Sequence, residues 1–367
     1  MVDLLALFLN LRIRPKDKTP DPNMVGLYNL GNTCYFNAAL QMLAHCRPLV
    51  RHVLSSSHTV DPSSVSDLLR RLFITMWPDV GNDEDKNDED NDDENEVPAR
   101  KQPDMTVSPS VLLRAIMGKS TMFERYRQGD AHEMTSRILD LLTERNETPT
   151  LKRVVEGSCV SIVTCSSCGA SSRSAEDPFT SLLVALPAPR STASTSNDLV
   201  RTFFGSTTAE GWRCDACGSV GMGKVATRLW NIPRVLLVCI KRFATDGCVV
   251  DHTPVIPSKR LDLLVHSNTA MLAPNSPARE LVLQRRNSKR RGFRLVGTVC
   301  HFGSSQSSGH YVACCRRSGS YGGGWWVHDD TSVLPLHGGV TDVPTGQVYM
   351  LAYEMVCWDE NTPARDA

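Results

Sequence analysis

"GLYNLGNTCYFNAALQMLAHCRPL", Gly26 to Leu49, sets one cysteine at the junction between a Gly/Asn-rich turn and a run of helical period. From Cys34 onward the apolar residues Phe36, Leu40 and Leu43 recur at helical spacing, and Pro48 closes the pattern shortly after Cys46. A thiolate at a helix N-terminus is stabilised by free backbone N–H groups and the positive end of the macrodipole, which populates its nucleophilic form near neutral pH. The same N–H groups can hold the oxyanion of a tetrahedral intermediate, and Asn29 in the preceding turn can add a side-chain amide. A cysteine before a helix is, taken alone, more often a small buried hydrophobe. The reading therefore rests on what else the chain supplies.

A cysteine nucleophile needs a base, and the base needs an acceptor that orients it. "SSGHYVACC" puts His310 after a Gly/Ser loop at the start of a strand, and "GGGWWVHDD" puts Asp329 and Asp330 at the end of what reads as the next strand. Adjacent antiparallel strands can bring His310 and Asp329 within hydrogen-bond reach. The bland alternative is a His and an Asp pair on solvated strand ends, and His132, His301 and His328 show that histidine alone is a weak signal. If the strand runs on through the Asp pair, the two side chains face opposite ways and only one meets His310. Asp330 would then hold a water or a backbone group near the oxyanion.

A third constellation is "CSSC" (Cys165, Cys168) and "CDAC" (Cys214, Cys217). Two such knuckles complete a closed tetrahedral four-cysteine zinc site, which is structural because no coordination position stays open. The long gap between the pairs implies a metal that ties two hairpin ends together rather than a compact independent finger. Free or redox-active thiols are the alternative.

The chain has 367 residues, 41% of them hydrophobic, enough for one large core or two moderate ones. Formal net charge is +0, but "NDEDKNDEDNDDENE", Asn82 to Glu96, concentrates acid and leaves the remainder basic. Such a run repels itself and reads as a solvated insert. "MVDLLALFLNLRIRPK" is too short to span a bilayer and lacks the charge and cleavage pattern of a signal peptide. Thirteen cysteines, some paired as C-x-x-C and others scattered through apolar strands, suit a reducing compartment, so an intracellular protein of cytoplasm or nucleus is expected.

Up to about residue 150 the chain reads as mostly helical. In "QGDAHEMTSRILDLL" Ala131, Met134, Ile138 and Leu141 or Leu142 line one face, with Asp130 placed to cap the helix. Beyond it, "SCVSIVTC", "RVLLVCIKRF", "FRLVGTVCHF", "HYVACCRR", "WWVHDD" and "QVYMLAYEMV" predict an antiparallel sheet. Ser191 to Asn197 and Ser267 to Gly292 read as loops.

Taken together and in this order, "GLYNLGNTCYFNAALQ", "YRQGDAHE", the two C-x-x-C pairs, "NIPRVLLVCIKRF", "GHYVA" and "WWVHDDTSV" resemble the ubiquitin-specific protease family of papain-like cysteine peptidases. The resemblance implies an α+β fold with a helical thumb, a β-rich palm and zinc-stapled β fingers. It implies one catalytic domain over about 24–357 (thumb about 24–150 with the acidic insert at 82–96, fingers and palm about 151–357), between an N-terminal extension, 1–23, and a tail, 358–367. Cys34 would be the nucleophile, His310 the base and Asp329 its orienting partner. Asn29 matches the oxyanion asparagine, and Asp330 the second acidic residue. Asp130 and Glu133 look like carboxylates that hold the arginine-bearing ubiquitin tail. Phe302 to Gly309 resembles the loop that moves when ubiquitin enters.

The family's habit differs at Gly129, where a second Gln is usual, at His328, where Phe is common, and at Ala38, where Ser is usual. None of these is a reacting group. The implied activity is hydrolysis of the isopeptide bond after ubiquitin's C-terminal glycine by a monomeric domain open to an activating partner, with one structural zinc and no membrane association. Three rivals stand beside it: a silent ubiquitin-binding member, an enzyme for a ubiquitin-like modifier, and a zinc-dependent nucleic-acid binder. The last would use the basic run Arg285 to Arg294, which lacks interleaved aromatic platforms and also reads as a solvated loop or a nuclear localisation signal.

Overall fold

The computed structural model describes residues 24–55, 61–77, 105–119, 127–145, 149–188, 193–244, 247–261, 272–283, 289–317 and 324–359. The acidic run at 82–96, the extension 1–23 and most of the tail lie outside them. Among the described residues no helix is long and apolar enough to cross a membrane.

A mixed eight-stranded sheet forms the centre. Its path runs Ser332–Leu336, Gly324–Asp329, Ser308–Arg317, Lys289–Ser305, Val348–Asp359, Val235–Lys241 and Ser181–Ala185, with Arg260–Leu261 paired to the long strand off this path. The run "VLLVCI" explains why this sheet is central. Val235, Leu237 and Cys239 face one core, while Leu236, Val238 and Ile240 face another. A continuous apolar run is what a strand covered on both faces requires. The expectation of an antiparallel sheet needs one correction: Ser181–Ala185 pairs parallel to Val235–Lys241, with a helix and the two finger strands Ser206–Arg213 and Val220–Asn231 making the long connection between them.

The first core lies under the helices. The helix Cys34–Ala44, all eleven of its residues buried, packs on the sheet face that carries Tyr311, Ala313 and Cys315. The helix Ala131–Arg145 covers it with Ala131, Met134, Ile138, Leu141 and Leu142. Pro48 does close the cysteine helix, which ends at Ala44, and it falls in the first turn of the next helix, Arg47–Ser55.

A separate five-stranded sheet, built mainly on Gly157–Cys165, Ser206–Arg213 and Val220–Asn231, forms the fingers. Two expected loops hold order instead. Thr195, inside the first, makes a capping box with Asp198 and starts the helix Ser196–Phe203. The described part of the second contains the helix Pro277–Leu283 and the start of the strand Lys289–Ser305. The same strand takes in part of the basic run: Arg294 pairs with Glu354 at 2.8 Å and Arg291 donates to Leu281 O at 3.1 Å. These two guanidinium groups are spent within the fold.

Candidate active site

The Gly/Asn turn is folded by one side chain. Asn29 Oδ1 accepts from Gly31 N at 3.0 Å and Thr33 N at 3.2 Å, while Gly31 and Asn32 take positive φ of 99° and 55°. Thr33 Oγ1 turns back to accept from Leu30 N at 2.8 Å and makes no cap, so the helix that starts at Cys34 has no side chain covering its first turn. That is the arrangement a thiolate at a helix N-terminus needs.

The strand Val25–Leu27 brings this turn to the sheet. Leu27 N donates to Asp330 O at 2.7 Å, and Gly26 lies so close that a Cβ there would meet Thr331 O at 2.5 Å. His310 and Asp329 come from the neighbouring strands Ser308–Arg317 and Gly324–Asp329. His310 Nε2 donates to Asp329 Oδ1 at 2.5 Å, and Cys34 lies close enough to act on the same ring. Burial opposes the imidazolium, but the bonds and charges of Asp329 and Cys34 outweigh it and push the ring up to about 10. The imidazolium form of His310, between Cys34 and Asp329, is therefore favoured at neutral pH.

Asp330 differs from the expectation. The strand stops at Asp329, and Asp330 sits in the turn with φ 51°, so a left-handed residue rather than strand alternation separates the two carboxylates. Among the described residues no backbone group bonds to the Asp330 carboxylate. It clamps two amides: Asn29 Nδ2 donates to Oδ2 at 2.8 Å and Asn37 Nδ2 to Oδ1 at 2.7 Å. Asn37 was not singled out from the sequence. Its only signal was a polar residue among the apolar ones of the cysteine helix, where it proves 2% exposed.

The two expected tail-binding carboxylates part company. Asp130 is 3% exposed and committed inside the protein. Its Oδ1 caps the helix from His132 N at 2.7 Å and Glu133 N at 3.1 Å, and its Oδ2 accepts from Tyr349 OH at 2.8 Å and Gln306 Nε2 at 3.3 Å. Glu133 is exposed, and partial burial and then the Asp130 charge raise its carboxyl above the usual range. Beside the unusual Gly129, Gln128 Oε1 accepts from Gly309 N at 3.1 Å. The expected mobile loop is a paired hairpin tip, with Ser305 opposite Ser308, and Gln306 N donates to Gly247 O at 2.9 Å.

His132, His45, His301 and His328 make no hydrogen bond to this constellation among the described residues. His132 contacts Ser181 Oγ at 2.7 Å. His45, His301 and His328 are buried, and burial keeps each ring neutral, with His45 and His301 lowered to about 4 and His328 well below its ordinary value.

At the fingertips the four cysteines converge. Cys165 Sγ lies 4.0 Å from Cys217 Sγ and Cys168 Sγ 3.7 Å from Cys214 Sγ. These separations match the edge of about 3.8 Å that a tetrahedron of zinc–sulfur bonds requires. The knuckles are built alike: Gly169 and Gly218 follow each pair at φ 74° and 72°, and their N–H groups donate to Cys165 O at 2.9 Å and Cys214 O at 2.8 Å. The backbone N–H groups of Cys168 and Ser167 draw the Cys165 thiol down to about 6. The cluster can hold a metal ion.

A helix-borne cysteine facing a histidine and aspartate on a sheet, with β fingers beyond, defines a papain-like cysteine peptidase. Residues 25–353 match the family model described as ubiquitin carboxyl-terminal hydrolase, and the chain belongs to that family. It is 26% identical over 84% of its length to ubiquitin carboxyl-terminal hydrolase 25 of Arabidopsis thaliana and 25% identical over 90% to ubiquitin carboxyl-terminal hydrolase 2 of Homo sapiens. It spans about half of those relatives, 44% and 55% of their lengths.

Among solved structures it resembles the SAGA Ubp8/Sgf11/Sus1/Sgf73 DUB module bound to ubiquitin aldehyde, with TM-score 0.66 and 19% identity over 91% of this chain and 70% of that one. The same module bound to monoubiquitin gives TM-score 0.67 and 20% identity over 96% and 74%.

Proposed function

We propose that the chain is a thiol-dependent deubiquitinase that hydrolyses the isopeptide bond after ubiquitin's C-terminal glycine. The observation that carries this reading is His310 bridging Cys34 and Asp329. Cys34 attacks the glycine carbonyl, and Asn29, oriented by Asp330, and the uncapped first turn of the helix receive the oxyanion. His310 donates its proton to the departing lysine amine, and water then releases ubiquitin from the thioester. Glu133 is the exposed carboxylate suited to the basic ubiquitin tail, with Asp130 fixing its helix.

Incubation with ubiquitin bearing a C-terminal electrophile tests the reading, with a matched ubiquitin-like probe beside it. A covalent adduct with ubiquitin is expected. Adduct with the ubiquitin-like probe alone would move the substrate to that modifier, and adduct with neither would sink the assignment. The free thiols on the described strands fit a reducing, intracellular setting. Partner proteins in the solved module make an activating partner a reasonable expectation for this chain too.

Asp330→Ala should release the Asn29 and Asn37 amides together. Ubiquitin release should slow by up to about 10²–10³, the cost of losing an oxyanion donor, while the pH at which His310 titrates stays put. A pH–rate profile measures both, and a displaced alkaline limb in this variant would show that Asp330 acts on the histidine instead.

We further propose structural zinc at Cys165, Cys168, Cys214 and Cys217. When bound it supplies a covalent staple between the finger hairpins and no chemistry at the thiol. A Cys168→Ser, Cys217→Ser double variant should therefore weaken ubiquitin binding, read by calorimetry, while Cys34 keeps its reactivity toward a small alkylating agent. Simultaneous loss of both would contradict a purely structural role.

A further inference from the structure

Beneath the active site, on the far side of the cysteine helix from its N-terminus, His45, Cys315 and His328 converge in the core. They are 5%, 0% and 3% exposed, and one ligand atom from each lies within 4.8 Å of the others. Three facts make this more than core packing. His45 Nδ1 donates to Gln41 O at 2.7 Å, which fixes the tautomer and leaves the lone pair on Nε2, as a metal-ligating histidine requires. His328 has neither ring nitrogen hydrogen-bonded although both are buried, and a buried imidazole left so is costly unless a further group satisfies it. Cys315, on the strand beside His328, completes a soft donor set: His328 pairs with Ala313, and Cys315 lies two residues along on the same face.

We propose that His45, Cys315 and His328 form a second, buried metal site for a thiophilic d¹⁰ cation, zinc(II) or copper(I). The donor chemistry selects this class, because two imidazoles and a thiolate suit zinc and copper and exclude calcium and magnesium. Binding replaces the thiol proton of Cys315 by the metal and releases that proton to solvent, with no change of oxidation state. The Arg317 guanidinium borders the site, 4.8 Å over the Trp77 ring and donating to Met24 Sδ at 2.8 Å. Trp77 closes the cluster edge-on to His45, their ring centroids 5.4 Å apart.

The consequence is mechanical. The site joins the C-terminal end of the helix that begins with Cys34, the strand that carries His310 and the strand whose next residue is Asp329. One ion would thus tie together the three elements that bring the thiol, imidazole and carboxylate into register.

The test is metal analysis of the full chain, purified without chelator from medium supplemented with zinc and copper. About two metal ions per chain are expected, falling to about one in His328→Phe and in Cys315→Ser, and to about one in a Cys168→Ser, Cys217→Ser double variant. X-ray absorption of that double variant should show mixed nitrogen and sulfur ligation, and the element detected separates zinc from copper. His328→Phe fills its pocket with an apolar ring and should still fold, and the near-isosteric Cys315→Ser is the second check. A single metal ion in the unaltered chain, or a content that neither variant lowers, overturns the proposal. Either result leaves the adduct test of the Cys34 reading untouched.

Discussion

Cys34→Ala should abolish both adduct formation with electrophilic ubiquitin and ubiquitin release, while leaving ubiquitin affinity largely intact. The residue is 4% exposed at the start of the central helix, and removing its sulfur deletes a single atom from a packed site. The turn is held by Asn29, Thr33 and Asp330, none of which needs the thiol. The nucleophile is lost and the scaffold is not, so binding and chemistry separate. Calorimetry with ubiquitin and mass spectrometry of the adduct reaction read the two quantities. Substantial cleavage by the variant would remove Cys34 from the mechanism.

Asp329→Asn should lower ubiquitin release at neutral pH by about 10²–10⁴, the range for a mispositioned acid–base group. Its more telling effect is on pH. In the parent chain the imidazolium persists up to about 10 because Asp329 and Cys34 overcome the cost of burial. Release from an isopeptide-linked substrate should therefore fall as pH rises through about 10, where His310 loses the proton it must give to the leaving amine. Without the Asp329 charge the limb should move to lower pH, since burial alone drives the ring downward.

The same linkage reaches stability. A folded-state value above the ordinary 6.5 means that His310 stabilises the native state fully below that pH, and this contribution is lost as pH rises through about 10. A profile unmoved by Asp329→Asn but shifted by Asp330→Ala would reverse the roles of the two carboxylates.

The organisation of the candidate site was legible wherever it is local. The Gly/Asn turn before Cys34, the capping Asp130 and the paired cysteine knuckles each depend on contacts a few residues apart, and the backbone rules for turns and helix ends fix them. The switch of hydrophobic period between the two halves of the chain showed helices followed by strands, and the family resemblance supplied the fold class. The misread loops show the limit of composition. Thr195 is polar because it caps a helix, and the Phe302 to Gly309 stretch is small and polar, yet it pairs as a hairpin.

What the sequence by itself determined is a set of candidate groups and the local frame of each: a cysteine at a helix start, a histidine at a strand start, a carboxylate at a strand end, four thiols on two knuckles. Tertiary structure alone decided which polar groups are spent on one another. Asp330 meets Asn29 and Asn37 across 301 and 293 residues of chain, Asp130 meets Tyr349 across 219, and His328 comes to lie beside His45 and Cys315. Such pairings depend on the register of the central sheet and on how the cysteine helix seats upon it. They also depend on the need to satisfy or neutralise every polar group that packing removes from water, and no local pattern encodes the outcome of that competition.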